Sequence, residues 1–146
     1  MKRLTKYNDL YTYLESFIIS DSIRPVMTTD NNDATSNLAA ASGVQVLFAR
    51  PEMKQDGRAD NHHSSIGTLA FVLEKGLGSA NTKSKENEQY ARLREYAENI
   101  LSRIEQDTTS GACNLLSGLD LVSAEIIPVI SVFGGWLGYS IEMEFE

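Results

Sequence analysis

The residues able to do chemistry are few and scattered. Cys113 is the one cysteine, and a thiol nucleophile needs a base and an orienting group converging on it. It stands among Gly111, Ala112, Asn114 and Leu115, where sequence brings neither histidine beside it. It reads as a half-buried small residue. His62 and His63 are adjacent. Neighbours in a strand point to opposite faces, whereas ligand pairs favour spacings such as i and i+4 on a helix. The pair reads as part of a solvated loop; a bend that gathers both with Asp56 or Asp60 is the metal-binding alternative. Gly76-Leu77-Gly78-Ser79 precedes a helix, but it lacks the full dinucleotide fingerprint and the lysine of a phosphate-binding loop. A strand-to-helix turn accounts for it. Glu142, Glu144 and Glu146 alternate. Acid–base catalysis wants two carboxyls in contrasting environments, while alternating acids on one strand make a single solvated, negative face. No Gly-x-Ser-x-Gly elbow is present. No catalytic residue, metal or cofactor is assigned, and the chain is read as a non-enzyme.

The composition sets the frame for these residues. A chain of 146 residues makes a single domain. At that length it buries roughly two thirds of its unfolded surface, so it needs no staple. One unpaired thiol suits a reducing compartment. No run reaches the ~18 apolar residues of a membrane span, and the polar start Met1-Lys2-Arg3-Leu4-Thr5-Lys6 does not resemble a signal peptide. The net charge is −7, with 13 basic residues against 20 acidic ones. Tight nucleic-acid binding draws its affinity from Lys and Arg, so this balance argues against it.

The periodicity supplies the elements. Leu4, Tyr7, Leu10, Tyr11, Leu14, Phe17 and Ile18 recur at three- and four-residue intervals, which predicts an amphipathic helix over about 4–20. Arg24-Pro25 closes it. Residues 28–43 are small and polar and read as a mobile loop, with a short turn at most near Leu38–Ala41. Val44–Arg50 is a strand stopped by Pro51, and Ile66–Lys75 is a second one, apolar enough for burial on both faces. Between them, 52–65 reads as a hydrophilic loop, the tip of a long hairpin arm. A helix over about 85–106 follows, capped by Thr82 or Ser84, with Tyr90, Leu93, Ala97, Ile100, Leu101 and Ile104 on one face. Arg103 is placed in its last turn, and Glu88–Arg92 and Arg94–Glu98 pair along its surface. Leu119–Val132 is a strand whose alternation slips near Ser123–Ile127, and Pro128 places it at an edge or bulge. Gly134-Gly135 turns the chain into the alternating strand 136–146. The expected fold class is α+β: a single domain in the order α-β-β-α-β-β, its mixed or antiparallel sheet carrying helices on one face.

That order resembles the tail terminator (tail completion) family of long-tailed bacteriophages. The likeness lies in an N-terminal helix, a strand ending Phe48-Ala49-Arg50-Pro51, the strand IGTLAFVLEK before one long helix, and the closing Gly135-Trp136-Leu137-Gly138-Tyr139-Ser140-Ile141-Glu142-Met143-Glu144-Phe145. It covers most of the chain as a pattern, without a diagnostic motif. The resemblance implies a virion structural protein, assembled in the host cytoplasm into a homo-oligomeric ring, commonly a hexamer. Such a ring caps the tail tube, meets tube and head–tail connector proteins, and lets DNA pass without specific binding and without any membrane. Under this likeness Glu142, Glu144 and Glu146 are candidates for a bore that repels phosphates. Asp56, Arg58, Asp60, His62 and His63, on the 52–65 arm, are candidates for partner contact. The alternatives are the tube cap of a phage-derived injection machine and a small metabolite- or peptide-binding domain; the latter predicts a concave pocket with converging polar groups.

Overall fold

In the computed structural model, the described residues are 2–17, 26–28, 31–38, 43–56, 63–78, 82–109 and 120–146. The chain runs α1 (Lys2–Glu15), β1 (Val26–Thr28), α2 (Asn31–Leu38), β2 (Gln45–Ala49), β3 (Glu52–Asp56), β4 (His63–Lys75), α3 (Lys83–Thr109), β5 (Leu121–Val132) and β6 (Trp136–Phe145). The fold is α+β, built on one mixed six-stranded sheet ordered β1-β2-β4-β6-β5, with β3 also paired to β4. Among the described residues only β1–β2 is parallel; the other pairs are antiparallel.

The centre of the sheet is where the sequence is most apolar. β4 lies between β2 and β3 on one side and β6 on the other, and its apolar run is buried at Ile66, Ala70, Val72 and Leu73. It pairs with β6 over ten positions, from Ile66↔Phe145 to Lys75↔Trp136. Alternation then sorts the side chains. Val46, Phe48, Ala70, Val72, Ile141, Met143 and Phe145 face a core completed by Leu10, Leu14 and Phe17 and by Leu93, Ala97, Ile100 and Ile104. Apart from Phe17, which follows α1, the residues completing it lie on the predicted stripes of α1 and α3, and each fully buried Leu or Ile contributes ~1.5–3 kcal/mol. Thr82 caps α3 by accepting the Lys85 amide at 3.2 Å.

Three elements depart from the sequence expectations, so the order α-β-β-α-β-β gains β1, α2 and β3. The 28–43 loop contains α2, whose Ala34 and Leu38 are buried with Leu47, Leu73 and Trp136. Because Leu47 and Leu73 alternate away from Val46 and Val72, α2 covers one end of the opposite sheet face. The two long helices share a face as expected; the short one does not. The 52–65 loop is also corrected: β4 extends past β2 and offers its edge to β3, from Glu52↔Gly67 to Asp56↔His63. β1 is three residues long and too short to show alternation.

Helix ends shift for local reasons. α1 stops at Glu15 rather than Ser20, where Ser16 Oγ donates to the Thr12 carbonyl at 2.9 Å and competes with the helical backbone. Ile18–Ser20 lie outside the described residues. α3 runs on to Thr109, so Arg103 is not in its last turn; its guanidinium stacks over Phe17, 4.6 Å from the ring centroid. Arg94–Glu98 pairs at 3.0 Å, but Arg92 reaches Glu74 on β4 at 2.7 Å instead of Glu88.

Among the described residues β5 is an edge strand, and Pro128 sits in it opposite Tyr139. The alternation slip expected near Ser123–Ile127 is not where the strand is irregular: Ser123–Val129 pairs with β6 without a break, and the register shifts flank it, between Leu121 and Ser123 and between Val129 and Val132. Ser131 (φ 55°) and Phe133 (φ 50°) take left-handed backbone around the second bulge and the hairpin turn. Phe133 is held there by an edge-to-face contact with Phe71, centroids 5.2 Å apart.

Candidate assembly surface

The sheet face opposite α1 and α3 is divided along its strands. At one end, under α2, it is apolar: Trp136, Leu47 and Leu73, with Phe71, Val129, Val132 and Phe133 packed against them. At the other end the cross-strand rows bring acids together. Glu142 of β6 lies opposite Leu69 of β4 and Glu125 of β5, and Glu144 lies opposite Gly67 and Ser123. Gly67 in turn lies opposite Glu52 of β3. Glu52, Glu125 and Glu142 are exposed and Glu144 is half-buried. By register these four carboxylates belong to one face, and Glu125 and Glu142 are direct cross-strand neighbours of like charge. Such a pair costs a few tenths of a kcal/mol up to ~1 kcal/mol relative to an uncharged one. Glu146 follows the strand, and its backbone exchanges two hydrogen bonds of 2.9 Å with Asp120.

The acidic strand predicted from alternation is therefore brought into a larger surface than the sequence indicated. Glu52 and Glu125 went unrecognised, since only the register of β3 and β5 carries them there. For the arm, Asp56 and His63 are paired residues at the mouth of the β3–β4 hairpin, not members of a loop. Arg58, Asp60 and His62 lie outside the described residues, as does Cys113.

Two recesses lie nearby, one on the helix-covered side of the sheet and one on the acidic face. One of about 620 Å³ lies between the C-terminal half of α3 and the start of β5, with Leu101, Glu105, Leu121 and Val122 in its walls. A second, about 220 Å³, opens where β2 ends and β3 begins, beside Thr68, Leu69, Glu52 and Glu142. Thr68 Oγ1 closes part of that gap by donating to the Ala49 carbonyl at 3.0 Å. Among the described residues, no group of three or more His, Cys, Asp or Glu is arranged to hold a metal ion, and no helix is long and apolar enough to cross a membrane. The glycine turn after β4 docks on the β5–β6 hairpin, the Gly76 amide donating to the Gly135 carbonyl at 2.9 Å.

Tyr90 is raised above its usual value of 10.0, first by burial and then by the nearby Glu86 and Tyr139. Its hydroxyl donates to the Val129 carbonyl at 2.8 Å, tying α3 to β5. It acts as a structural tether, since it spans the helix and the edge strand through a backbone acceptor.

No protein-family model matches the chain, and no curated protein matches its sequence.

Proposed function

We propose that this protein is a non-enzymatic virion structural protein, a ring-forming tail terminator or head–tail connector that caps a tail tube and joins it to the head. The acidic sheet face carries this reading. A passage for DNA must not hold phosphates, and a wall bearing Glu52, Glu125, Glu142 and Glu144 repels them. The strand order supports it further, because a sheet covered by its two long helices on one side leaves the acidic side available to line a bore. The partners are further copies of the chain in a ring, commonly six, with tube and connector proteins meeting the rims. The β3–β4 hairpin is the element we assign to partner contact.

Light scattering together with negative-stain imaging tests the assembly: closed rings with a central hole are expected. Reversing Glu142 and Glu144 to Lys tests the bore. The reversed ring should retain duplex DNA that the original releases, with the retention lost as salt is raised. Rings that assemble and pass DNA equally well with both charges reversed overturn the bore assignment.

A second reading is favoured by the recess between α3 and β5. An open edge strand beside a helix is the geometry in which extended peptides add as an extra strand. A monomer in solution that binds unstructured peptides along β5 would support it over the ring.

A further inference from the structure

We propose that β3 of one copy adds antiparallel to the outer edge of β5 in the next copy, so that the sheet continues from subunit to subunit. The inference rests on the ring reading and names the contact that would build it. Among the described residues, β5 and β3 each pair on one side only, with β6 and β4 respectively. Their directions match. β5 and β4 both run antiparallel to β6, and β3 runs antiparallel to β4. A rotation about an axis along the strands therefore brings β3 against β5 in the antiparallel sense and keeps the helix-covered faces on the same side. That contact is heterologous, the kind that closes into a ring.

The lengths match as well. β5 is interrupted by a register shift at each end and by Pro128, devices that blunt an exposed edge. Pairing with β6 is unbroken over Ser123–Val129; on the outer edge, the part of it that precedes Pro128, Ser123–Ile127, is five residues long like β3, whereas β1 has three. Proline is tolerated in a sheet where its nitrogen faces outward. Ala124 and Ile126 share that phase, so their backbone groups face the missing neighbour.

Paired over its full length, β3 sets Lys54 opposite Glu125 and Met53 opposite Ile126. Glu125 already pairs with Glu142 of β6, so a residue of opposite charge at the register position on its other side is the pairing that relieves a repulsion within the subunit. The faces agree too. Met53 is in register with Ile66, a residue of the helix-covered core, and Ile126 packs against that same core.

The test is a charge swap read by sedimentation or light scattering across a concentration series, with circular dichroism verifying the fold of each variant. Lys54→Glu alone or Glu125→Lys alone should weaken association about fivefold per contact, the upper range for one cross-strand pair; the double variant should recover it. In a Cys113→Ser background, Lys54→Cys combined with Glu125→Cys should form an intersubunit disulfide ladder, because directly opposed non-hydrogen-bonded residues lie close enough to bridge. Glu125→Cys alone should not. A crosslinked dimer from Glu125→Cys alone means β5 pairs with itself and overturns the assignment. Rings that form without the mixed crosslink and without rescue by the swap also overturn it, while the ring reading stands. A monomer at every concentration removes both.

Discussion

Gly138→Ala is the sharpest test of the sheet that carries the acidic face. Gly138 lies in β6 opposite Leu73, with φ +152°. A Cβ built there meets the Val72 carbonyl oxygen at 1.9 Å and its carbon at 3.0 Å. Both atoms are backbone in the neighbouring central strand, so no rotamer change relieves the contact. β4 and β6 would have to part locally by more than about 1 Å, which takes ladder bonds of ordinary length beyond hydrogen-bonding range. Two such bonds at ~1 kcal/mol each, added to backbone strain of ~1–3 kcal/mol, give a loss of about 3–5 kcal/mol. A domain's whole stability is ~5–15 kcal/mol. Trp136 is the single tryptophan and is 2% exposed, so its fluorescence reports urea unfolding directly. At a slope of ~2 kcal/mol per molar, the midpoint should fall by about 2 M. Gly134→Ala is the matched control: it has φ +90° and nothing within 4 Å of its Cβ, so it carries only the conformational cost of ~1–2 kcal/mol. If Gly138→Ala costs no more than Gly134→Ala, the β4–β6 register is wrong, and the placement of Glu142 and Glu144 on the open face fails with it.

Other outcomes follow from the packing and the tethers. Leu93→Ala, at a fully buried position of α3, should cost ~2–5 kcal/mol in urea unfolding. Tyr13→Phe removes the hydroxyl that donates to the Asp107 carboxyl and links α1 to α3, which should cost ~1.5 kcal/mol by the same assay. Tyr90→Phe should cost ~1 kcal/mol at neutral pH, through the lost bond to the Val129 carbonyl. Its pH dependence has a definite sign. The folded value of Tyr90 is raised above the unfolded 10.0, so the folded state holds its proton more tightly. That contribution is complete below pH 10 and is lost as the pH climbs through the raised value. Stability against alkali should therefore fall more steeply in the original protein than in Tyr90→Phe, the two converging as the pH rises; parallel curves would remove the tether.

What the sequence alone determined is the part of the fold that local chemistry encodes. The stripe Leu93–Ala97–Ile100–Ile104 has helical period, Thr82 can accept an amide at a helix start, and Ile141–Met143–Phe145 alternates against Glu142–Glu144. These features specify α3 and β6 wherever they are packed. Pro128 likewise marks β5 as an edge before any partner is known, because its nitrogen has nothing to donate. Tertiary structure decided the rest. Asn31–Leu38 is poor in helix formers, and its helix is held by the burial of Ala34 and Leu38 over Leu47 and Trp136. Glu52–Asp56 is polar apart from Met53, and it is a strand because β4 overruns β2 and leaves backbone groups to be paired. The candidate site divides the same way. Alternation put Glu142 and Glu144 on one face, but Glu52 and Glu125 join them only through strand register, a relation between residues far apart in the chain that no local pattern contains.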